Sequence, residues 1–237
     1  MEEYRMQIAI DGPAGAGKST VSDRVAAKFG ILHLDTGAMY RAVAYKASLE
    51  GISTRDRAAL AKMTGNLDLK VLFEHGRQVN LLDGTDVGPY LRSPEISRGA
   101  SDVAVFPEVR LCMVELQREI ASRMDLVIDG RDIGTYVLPH ARVKIFLTAS
   151  SRERAIRRLN QQKQLGLPDQ SLDEIMQEIE YRDINDSQRE FAPLRKAEDA
   201  VVVDSTGRQV DEVVEMVCKI VRDRYPEAAE AGHGKIL

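Results

Sequence analysis

The chain has 237 residues, of which 43% are hydrophobic and 30% are charged, a composition typical of a globular protein of one α/β domain with an insertion. Its net charge of −4 gives no general electrostatic attraction to nucleic acid, and no apolar stretch is long enough to cross a bilayer. Cys112 and Cys218 lack metal-ligand spacing, and residues 1–5 lack the features of a signal peptide, so we expect a cytoplasmic protein.

Short apolar segments alternate with longer helical patterns, which predicts a parallel sheet flanked by helices. The predicted strands are Gln7–Asp11, Leu32–Leu34, Leu126–Asp129, Lys144–Leu147 and Ala200–Val203. The predicted helices are Lys18–Phe29, Ala38–Glu50, Glu108–Met124, Ser151–Leu165, Leu172–Arg189 and Val210–Arg224. Signals that start a helix stand at Ser93, Pro107, Ser150, Ser171 and Thr206.

The segment after the first predicted strand fits G-x-x-x-x-G-K-[ST], the pattern of the phosphate-binding loop or P-loop. Its glycines let backbone N–H groups point at phosphate oxygens, and the following helix presents its positive dipole end to the anion. Lys18 is expected at the β- and γ-phosphates, and the Ser19 hydroxyl at Mg²⁺. The sequence therefore predicts binding of a nucleoside triphosphate. The expected ATP-binding residues are Gly12, Pro13, Ala14, Gly15, Ala16, Gly17, Lys18, Ser19 and Thr20.

Residues 66–92 interrupt the alternation of strands and helices. Apolar residues occupy every second position from Leu67 to Phe73, and turn signals follow at His75-Gly76 and Asp83-Gly84. This pattern predicts a small antiparallel β insertion. The insertion could be an elaboration of a surface loop, or it could shape a second substrate site, since clefts in α/β folds lie beyond the strand ends.

Arginines recur near strand ends and on the later helices, which indicates a second anionic ligand. Arg41 and Arg131 each follow an apolar strand and have small residues beside them. Arg182, Asp186 and Arg189 have the spacing of one helical face. Converging guanidinium groups can hold a phosphate bidentately, so we expect a dianion as the second substrate. A single arginine, however, is commonly a surface residue or an ion-pair partner.

Several other candidates allow two interpretations. Arg154, Arg157 and Arg158 could form no more than a charged helix face. Asp129 could cap a helix, but we favour an acid that holds Mg²⁺ through water, because it ends an apolar strand. Thr36 is equally suited to cap the next helix or to contact a ligand. The four histidines are scattered and predict no metal cluster.

Taken together, these segments closely resemble the bacterial cytidylate kinase family. The similar stretches are IDGPAGAGKST (10–20), LDTGAMYRA (34–42), SDVAVFPEVR (101–110), IDGRDIGT (128–135), VKIFLTASSRERAIRR (143–158) and RDINDSQREFAPL (182–194). They span nearly the whole chain in the order of the family, and together they are far more specific than the P-loop alone. The resemblance implies transfer of the γ-phosphoryl group of ATP, with Mg²⁺, to CMP or dCMP.

The resemblance also implies a fold and a division of the chain. The fold is the three-layer α/β fold of P-loop proteins, with a five-stranded parallel sheet flanked by helices and a small antiparallel β insertion. One kinase domain would cover residues 1–225, with the β insertion of the monophosphate-binding region at 66–92 and lid-bearing helices at 150–190. We expect residues 226–237 to be a mobile tail. We also expect a monomer that acts on small molecules and binds neither nucleic acid nor membrane.

The resemblance further implies a set of CMP-binding residues. They are Thr36, Tyr40, Arg41, Ser101, Arg110, Arg131, Asp132, Arg182, Asp186 and Arg189. Within this set, Ser101, Arg110 and Asp132 match positions that read the cytosine ring, and Asp186 with Arg182 matches contacts to the sugar. Arginines 41, 131 and 189 match those on the monophosphate group. Some family members have serine at the position of Thr36, and both residues carry a hydroxyl group.

The implied catalytic and metal sites overlap with these. The catalytic residues would be Lys18, Arg131, Arg157 and Arg158, with Arg157 or Arg158 closing over ATP as the lid residue. Ser19 would bind Mg²⁺ directly and Asp129 through water. Two other functions stay open at this point. One is a P-loop kinase of another small acceptor, such as another nucleotide or shikimate. The other is a nucleotide-dependent switch, although the base-specifying Asn-Lys-x-Asp of small GTPases does not occur.

Overall fold

The computed structural model describes residues 5–164, 166 and 170–226. Its strands are β1 (Gln7–Asp11), β2 (Leu32–Asp35), β3 (Leu69–Glu74), β4 (Arg77–Leu82), β5 (Thr85–Asp86), β6 (Leu126–Gly130), β7 (Val143–Thr148) and β8 (Val201–Asp204). Its helices are α1 (Lys18–Phe29), α2 (Thr36–Leu49), α3 (Arg57–Thr64), α4 (Pro94–Val103), α5 (Pro107–Arg123), α6 (Ser151–Gln164), α7 (Leu172–Gln188) and α8 (Val210–Arg224). A 3₁₀ turn at Gly88–Tyr90 and a π-helical turn at Ile133–Val137 complete the described elements.

The central sheet has five parallel strands in the order β2-β6-β1-β7-β8, with helices on both faces. Side chains of β1 alternate between the two faces: Ile8 and Ile10 pack toward α1 and α8, and Ala9 packs toward α2, α4 and α5. Burial on both sides explains why these strands appear in the sequence as continuous apolar runs. Helices α6 and α7 pack on each other around Ala155, Ile175 and Ile179.

The β insertion forms a separate antiparallel sheet, β3-β4-β5. Gln78 in β4 fastens this sheet to the end of β2, because its amide accepts from the backbone N–H of Asp35 at 2.7 Å and donates to the Asp35 carbonyl at 3.3 Å. The insertion therefore lies beside the carboxyl edge of the central sheet, where parallel sheets bind ligands.

The predicted elements of the sheet and of the main helices are all present, with ends that differ by a residue or two. Helix α3 was not predicted. The helix start predicted at Thr206 is wrong: Gln209 caps α8 in a reciprocal pair with Glu212, and the Thr206 hydroxyl instead donates to Asp204 at 2.7 Å. Residues 227–237 of the predicted tail and Leu165 lie outside the described residues. None of the described helices has the length and apolarity needed to span a membrane.

Candidate active site

A cleft of about 1060 Å³ opens at the carboxyl edge of the central sheet. Residues of the P-loop from Ala14 to Thr20 line one part of it, and both predicted metal ligands lie there. The rest of the lining includes all ten predicted CMP-binding residues together with Arg157 and Arg158. Gly12 and Pro13 are not among the residues that line the cleft. The fold thus brings almost the whole predicted set around one space.

The P-loop is shaped by close packing on the sheet. Gly12 has φ +154°, and a Cβ at this position would lie 1.9 Å from the carbonyl oxygen of Leu147, so only glycine fits here. Lys18 is buried, and its ammonium group donates to the Pro13 carbonyl at 2.9 Å across the loop. Burial, with the nearby charge of Arg131, lowers the pKa of Lys18 to about 7. The negative charge of an incoming polyphosphate would raise the pKa of Lys18 again and so favour its charged ammonium form.

Ser19, Asp129 and His33 form a hydrogen-bonded chain in the cleft. The Ser19 hydroxyl donates to Asp129 Oδ2 at 3.0 Å, and His33 Nε2 lies 2.7 Å from Asp129 Oδ1. A role for His33 was not predicted from the sequence, because it lies within strand β2 and belongs to none of the motifs. Asp129 does not cap a helix, since it lies within β6 and its carboxylate meets these two side chains.

Thr36 does not act as a helix cap. Asp35 caps α2 by accepting the backbone N–H of Ala38 at 2.9 Å. The buried Thr36 hydroxyl donates instead to the Asp129 carbonyl at 2.7 Å, which ties the start of α2 to the end of β6. One of the two interpretations of Thr36 is therefore wrong, and its place in the cleft lining agrees with the other.

Aspartates orient the arginines expected at the monophosphate. Arg41 Nη2 donates to Asp35 at 2.8 Å, and Arg131 Nε donates to Asp186 at 2.6 Å. Both pairs are partly buried, so each guanidinium is held in one place before a ligand arrives. Despite burial, the charge of Arg131 holds the pKa of Asp186 below its usual value, which keeps that carboxylate ionised.

The residues expected to read the base form a buried network. Arg110 is 1% exposed and pairs with Asp132, whose second oxygen accepts from Arg189 at 3.3 Å. The guanidinium of Arg110 also lies over the ring of Tyr40, 5.4 Å from its centroid. Tyr40 lines the same cleft, and its buried hydroxyl has no hydrogen-bond partner among the described residues. Ser101 lines the cleft as well and is 6% exposed.

Asp11, which sequence reasoning also missed, holds the turn that carries Arg131 and Asp132. Its carboxylate accepts the backbone N–H groups of Ile133 at 2.8 Å and of Gly134 at 2.7 Å. Burial raises the pKa of Asp11 to about 7, against the lowering effect of these two hydrogen bonds. Because Asp11 directly precedes the P-loop, one carboxylate links the two halves of the cleft.

The arginines of α6 have different surroundings. Arg154 is buried and donates to Asp183 at 2.7 Å and to the Ala14 carbonyl at 3.0 Å, so it braces the P-loop from behind and is not part of a solvated helix face. Arg157 lines the cleft while donating to the Ser205 carbonyl at 2.7 Å. Arg158 also lines the cleft and donates to Gln161 at 2.9 Å.

Arg182 brings a half-buried positive charge to the cleft lining. Burial, with the nearby charge of Arg131, lowers its pKa to about 10, and its Nε atom has no hydrogen-bond partner among the described residues. The lining as a whole shows the same excess: of its described residues, one lysine and ten arginines face five aspartates. In a chain with a net charge of −4, this cleft is a local concentration of positive charge suited to phosphate groups.

Comparisons with known proteins agree with one another. The family model described as "Cytidylate kinase" matches residues 8–223. A cytidylate kinase from Caldicellulosiruptor bescii is 49% identical over 216 residues, covering 91% of this chain and 95% of that protein. A cytidylate kinase from Desulfitobacterium hafniense is 47% identical, covering 92% and 94%. The crystal structure of an uncharacterized protein from Eubacterium ventriosum superposes with a TM-score of 0.51 and 13% identity, covering 93% of this chain and 100% of that one, which is a likeness of fold alone.

Proposed function

Because the chain belongs to the cytidylate kinase family, we infer that it transfers a phosphoryl group from ATP to CMP or dCMP. We propose that the cleft binds both nucleotides side by side. The observation that carries this proposal is that the P-loop and the arginine–aspartate network line the same space. Two polyanions must be brought together for direct transfer, and a shared positive cleft does this. Family membership removes the switch protein and the shikimate kinase as alternatives.

The ATP side of the cleft would be formed by the P-loop. We propose that Lys18 contacts the β- and γ-phosphates and that backbone N–H groups of Gly15 to Thr20 surround them. The donor set also fits Mg²⁺, since the Ser19 hydroxyl and the Asp129 carboxylate lie 3.0 Å apart. Proteins usually hold this ion with one or two oxygen ligands plus substrate phosphates, and these two side chains could supply such ligands. When bound, Mg²⁺ would neutralise phosphate charge.

The transfer itself needs no general base. The second pKa of a phosphate monoester is about 6, so the attacking oxygen of CMP is already largely ionised at neutral pH. What the residues supply is charge and orientation: Arg41, Arg131 and Arg189 would hold the acceptor phosphate, and Lys18 would hold the donor. Exclusion of water matters equally, because water would otherwise accept the phosphoryl group. We propose that Arg157 or Arg158 closes the ATP side.

Recognition of the base would use the buried network. Each carboxylate oxygen of Asp132 already accepts from one arginine and has acceptor capacity left, so it can receive the exocyclic amine of cytosine. Arg110 and Ser101 can satisfy the two acceptors of that ring. Uracil would set a carbonyl oxygen against the carboxylate and leave a buried group unsatisfied, at a cost of about 1–3 kcal/mol.

A coupled assay of ADP release with Mg·ATP and a panel of acceptors tests these assignments. The panel contains CMP, dCMP, UMP, AMP, GMP, dTMP and shikimate. We expect kcat/KM for CMP and dCMP to exceed that for UMP by about 10- to 100-fold. Equal use of UMP would refute the base-reading network, and activity confined to another acceptor would refute the whole second site. ADP release without any acceptor would contradict direct transfer in a closed cleft.

The remaining proposals concern the state of the protein. We propose that the chain acts as a monomer in the cytoplasm and binds no nucleic acid, in keeping with its net charge of −4. Light scattering at micromolar concentration, with and without both nucleotides, tests the first of these; a dimer mass would refute it.

A further inference from the structure

Helix α7 meets helix α4 through two side chains that are one turn apart. Tyr181 Oη donates to Asp102 Oδ1 at 2.6 Å, and Asn185 Nδ2 donates to Ser101 Oγ at 3.3 Å. Their partners, Ser101 and Asp102, are adjacent in α4 and are both buried. We call these four residues the α4–α7 latch. The latch joins α7, where the proposed sugar and phosphate contacts lie, to α4, which carries the proposed base contact Ser101.

The latch has its own support around Asp102. Its second carboxylate oxygen accepts from the Thr54 hydroxyl at 3.0 Å, so both oxygens have partners. The guanidinium of Arg98 lies over the Tyr181 ring, 5.1 Å from its centroid, which fixes the ring while its hydroxyl reaches Asp102. A carboxylate that accepts from two side chains and is 7% exposed is a rigid anchor for the neighbouring residue Ser101.

The hydrogen bond from Asn185 also sets the chemical role of Ser101. A serine hydroxyl that accepts from an amide keeps its own proton free to donate. A donor at this point suits the ring nitrogen N3 of cytosine, which is an acceptor, whereas N3 of uracil carries a hydrogen. The latch therefore favours cytosine through a residue that does not touch the base.

We propose that Tyr181 and Asn185 are positioning residues that fix Ser101 as a hydrogen-bond donor and couple the base site to α7. This proposal rests on the proposed function, because the role of Ser101 is part of that function. It adds two residues outside the cleft lining to the determinants of specificity. Since Arg182 and Asp186 share α7 with the latch, base and sugar recognition become parts of one rigid unit.

Two variants test the latch with little change of packing. Tyr181→Phe removes a hydroxyl and keeps the ring that Arg98 covers, and Asn185→Leu removes the amide while keeping the same branching of the side chain. We expect each to raise the KM and the calorimetric Kd for CMP by about tenfold, with kcat and the KM for ATP changed by less than about twofold. The preference for CMP over UMP should fall as well. Tyr90→Phe, at an exposed tyrosine outside the cleft lining, is the control and should change none of these values.

A double variant then tests whether Tyr181 acts through Ser101. In a Ser101→Ala background, Tyr181→Phe should add less than about twofold to the KM for CMP, because the residue that it positions has lost its hydroxyl. A full additional tenfold effect would overturn the proposal, as would an unchanged CMP affinity in both single variants. If kcat, the KM for CMP and the KM for ATP are all impaired to the same extent and the Tm is lower, the contact is merely structural, and this outcome would also overturn the proposal.

The controls separate this proposal from the proposed function. If Ser101→Ala leaves the KM for CMP unchanged while the unmutated enzyme phosphorylates CMP, the latch proposal fails and CMP kinase activity stands. If the unmutated enzyme does not phosphorylate CMP, the proposed function itself fails.

Discussion

Replacement of Asp132 by asparagine should destabilise the protein through a residue 22 positions away. Arg110 is 1% exposed, and besides Asp132 its guanidinium has the Ala104 carbonyl at 3.5 Å and the face of the Tyr40 ring. Asp132→Asn keeps the side-chain shape but removes the negative charge, which strands the cation of Arg110 in the core. Arg189 is less affected, because its Nε also donates to a backbone carbonyl at 2.8 Å.

The size of the effect follows from the burial of both groups. Removal of one partner from a buried ion pair costs about 3–5 kcal/mol, since the remaining charge is left without compensation. The asparagine carbonyl oxygen can still accept from one guanidinium, which places the expected loss near the lower end, at about 3 kcal/mol. For a protein of this size that loss corresponds to a fall in Tm of about 6–12 °C.

Urea unfolding followed by circular dichroism, in the absence of nucleotide, measures this loss. The double variant Asp132→Asn/Arg110→Met should be more stable than Asp132→Asn alone, because the stranded cation is gone. Glu108→Gln, which breaks the exposed pair with Arg57, is the matched control and should leave the midpoint nearly unchanged. Two results would refute this account of the buried pair. One is a loss of unfolding free energy below about 1 kcal/mol in Asp132→Asn. The other is a loss in the double variant equal to the sum of the losses in Asp132→Asn and Arg110→Met alone.

Lys18→Ala should lower kcat by at least about 100-fold in the ADP-release assay with an unchanged unfolding midpoint; near-normal turnover would contradict its role. Burial works to lower the pKa of His33, but the hydrogen bond and charge of Asp129 outweigh burial and raise that pKa above its usual value of 6.5. The protonated His33 therefore stabilises the folded protein below pH 6.5, and this contribution is lost as the pH rises through the folded-state pKa. The stability advantage over His33→Gln should thus be larger at about pH 6 than at about pH 8, and the opposite trend in urea unfolding would refute it. Ser171→Ala should lose about 1 kcal/mol by removing the capping box of α7, and an unchanged Tm would count against the cap.

The elements of the sheet could be predicted from the sequence because buried parallel strands leave an obvious mark. Residues 126–129 are an apolar run that ends at an aspartate, and no other local structure explains that pattern so simply. Helix α3 could not be predicted in the same way. It has eight residues, and its stability depends on burial of Leu60 and Met63 against distant parts of the chain.

The site shows the same division between local and distant information. The places of Lys18 and Arg131 in the cleft could be predicted because each lies in a motif whose chemistry is local. The roles of Asp11 and His33 depend on partners that are 122 and 96 positions away, and no local pattern carries such a distance. Arg154 differs from Arg157 and Arg158 in its burial and in its partners, neither of which the spacing of arginines along a helix reveals.

The charge of the cleft has a consequence for the direction of the reaction. One phosphoryl group moves from one nucleotide to the other, so the number of phosphate groups between the lysine and the arginines is the same before and after transfer. A lining that complements this total charge stabilises the product pair about as well as the substrate pair. The enzyme should therefore bind either pair well enough to run in both directions, while the cellular ratios of the four nucleotides decide the net flux, as for any catalyst.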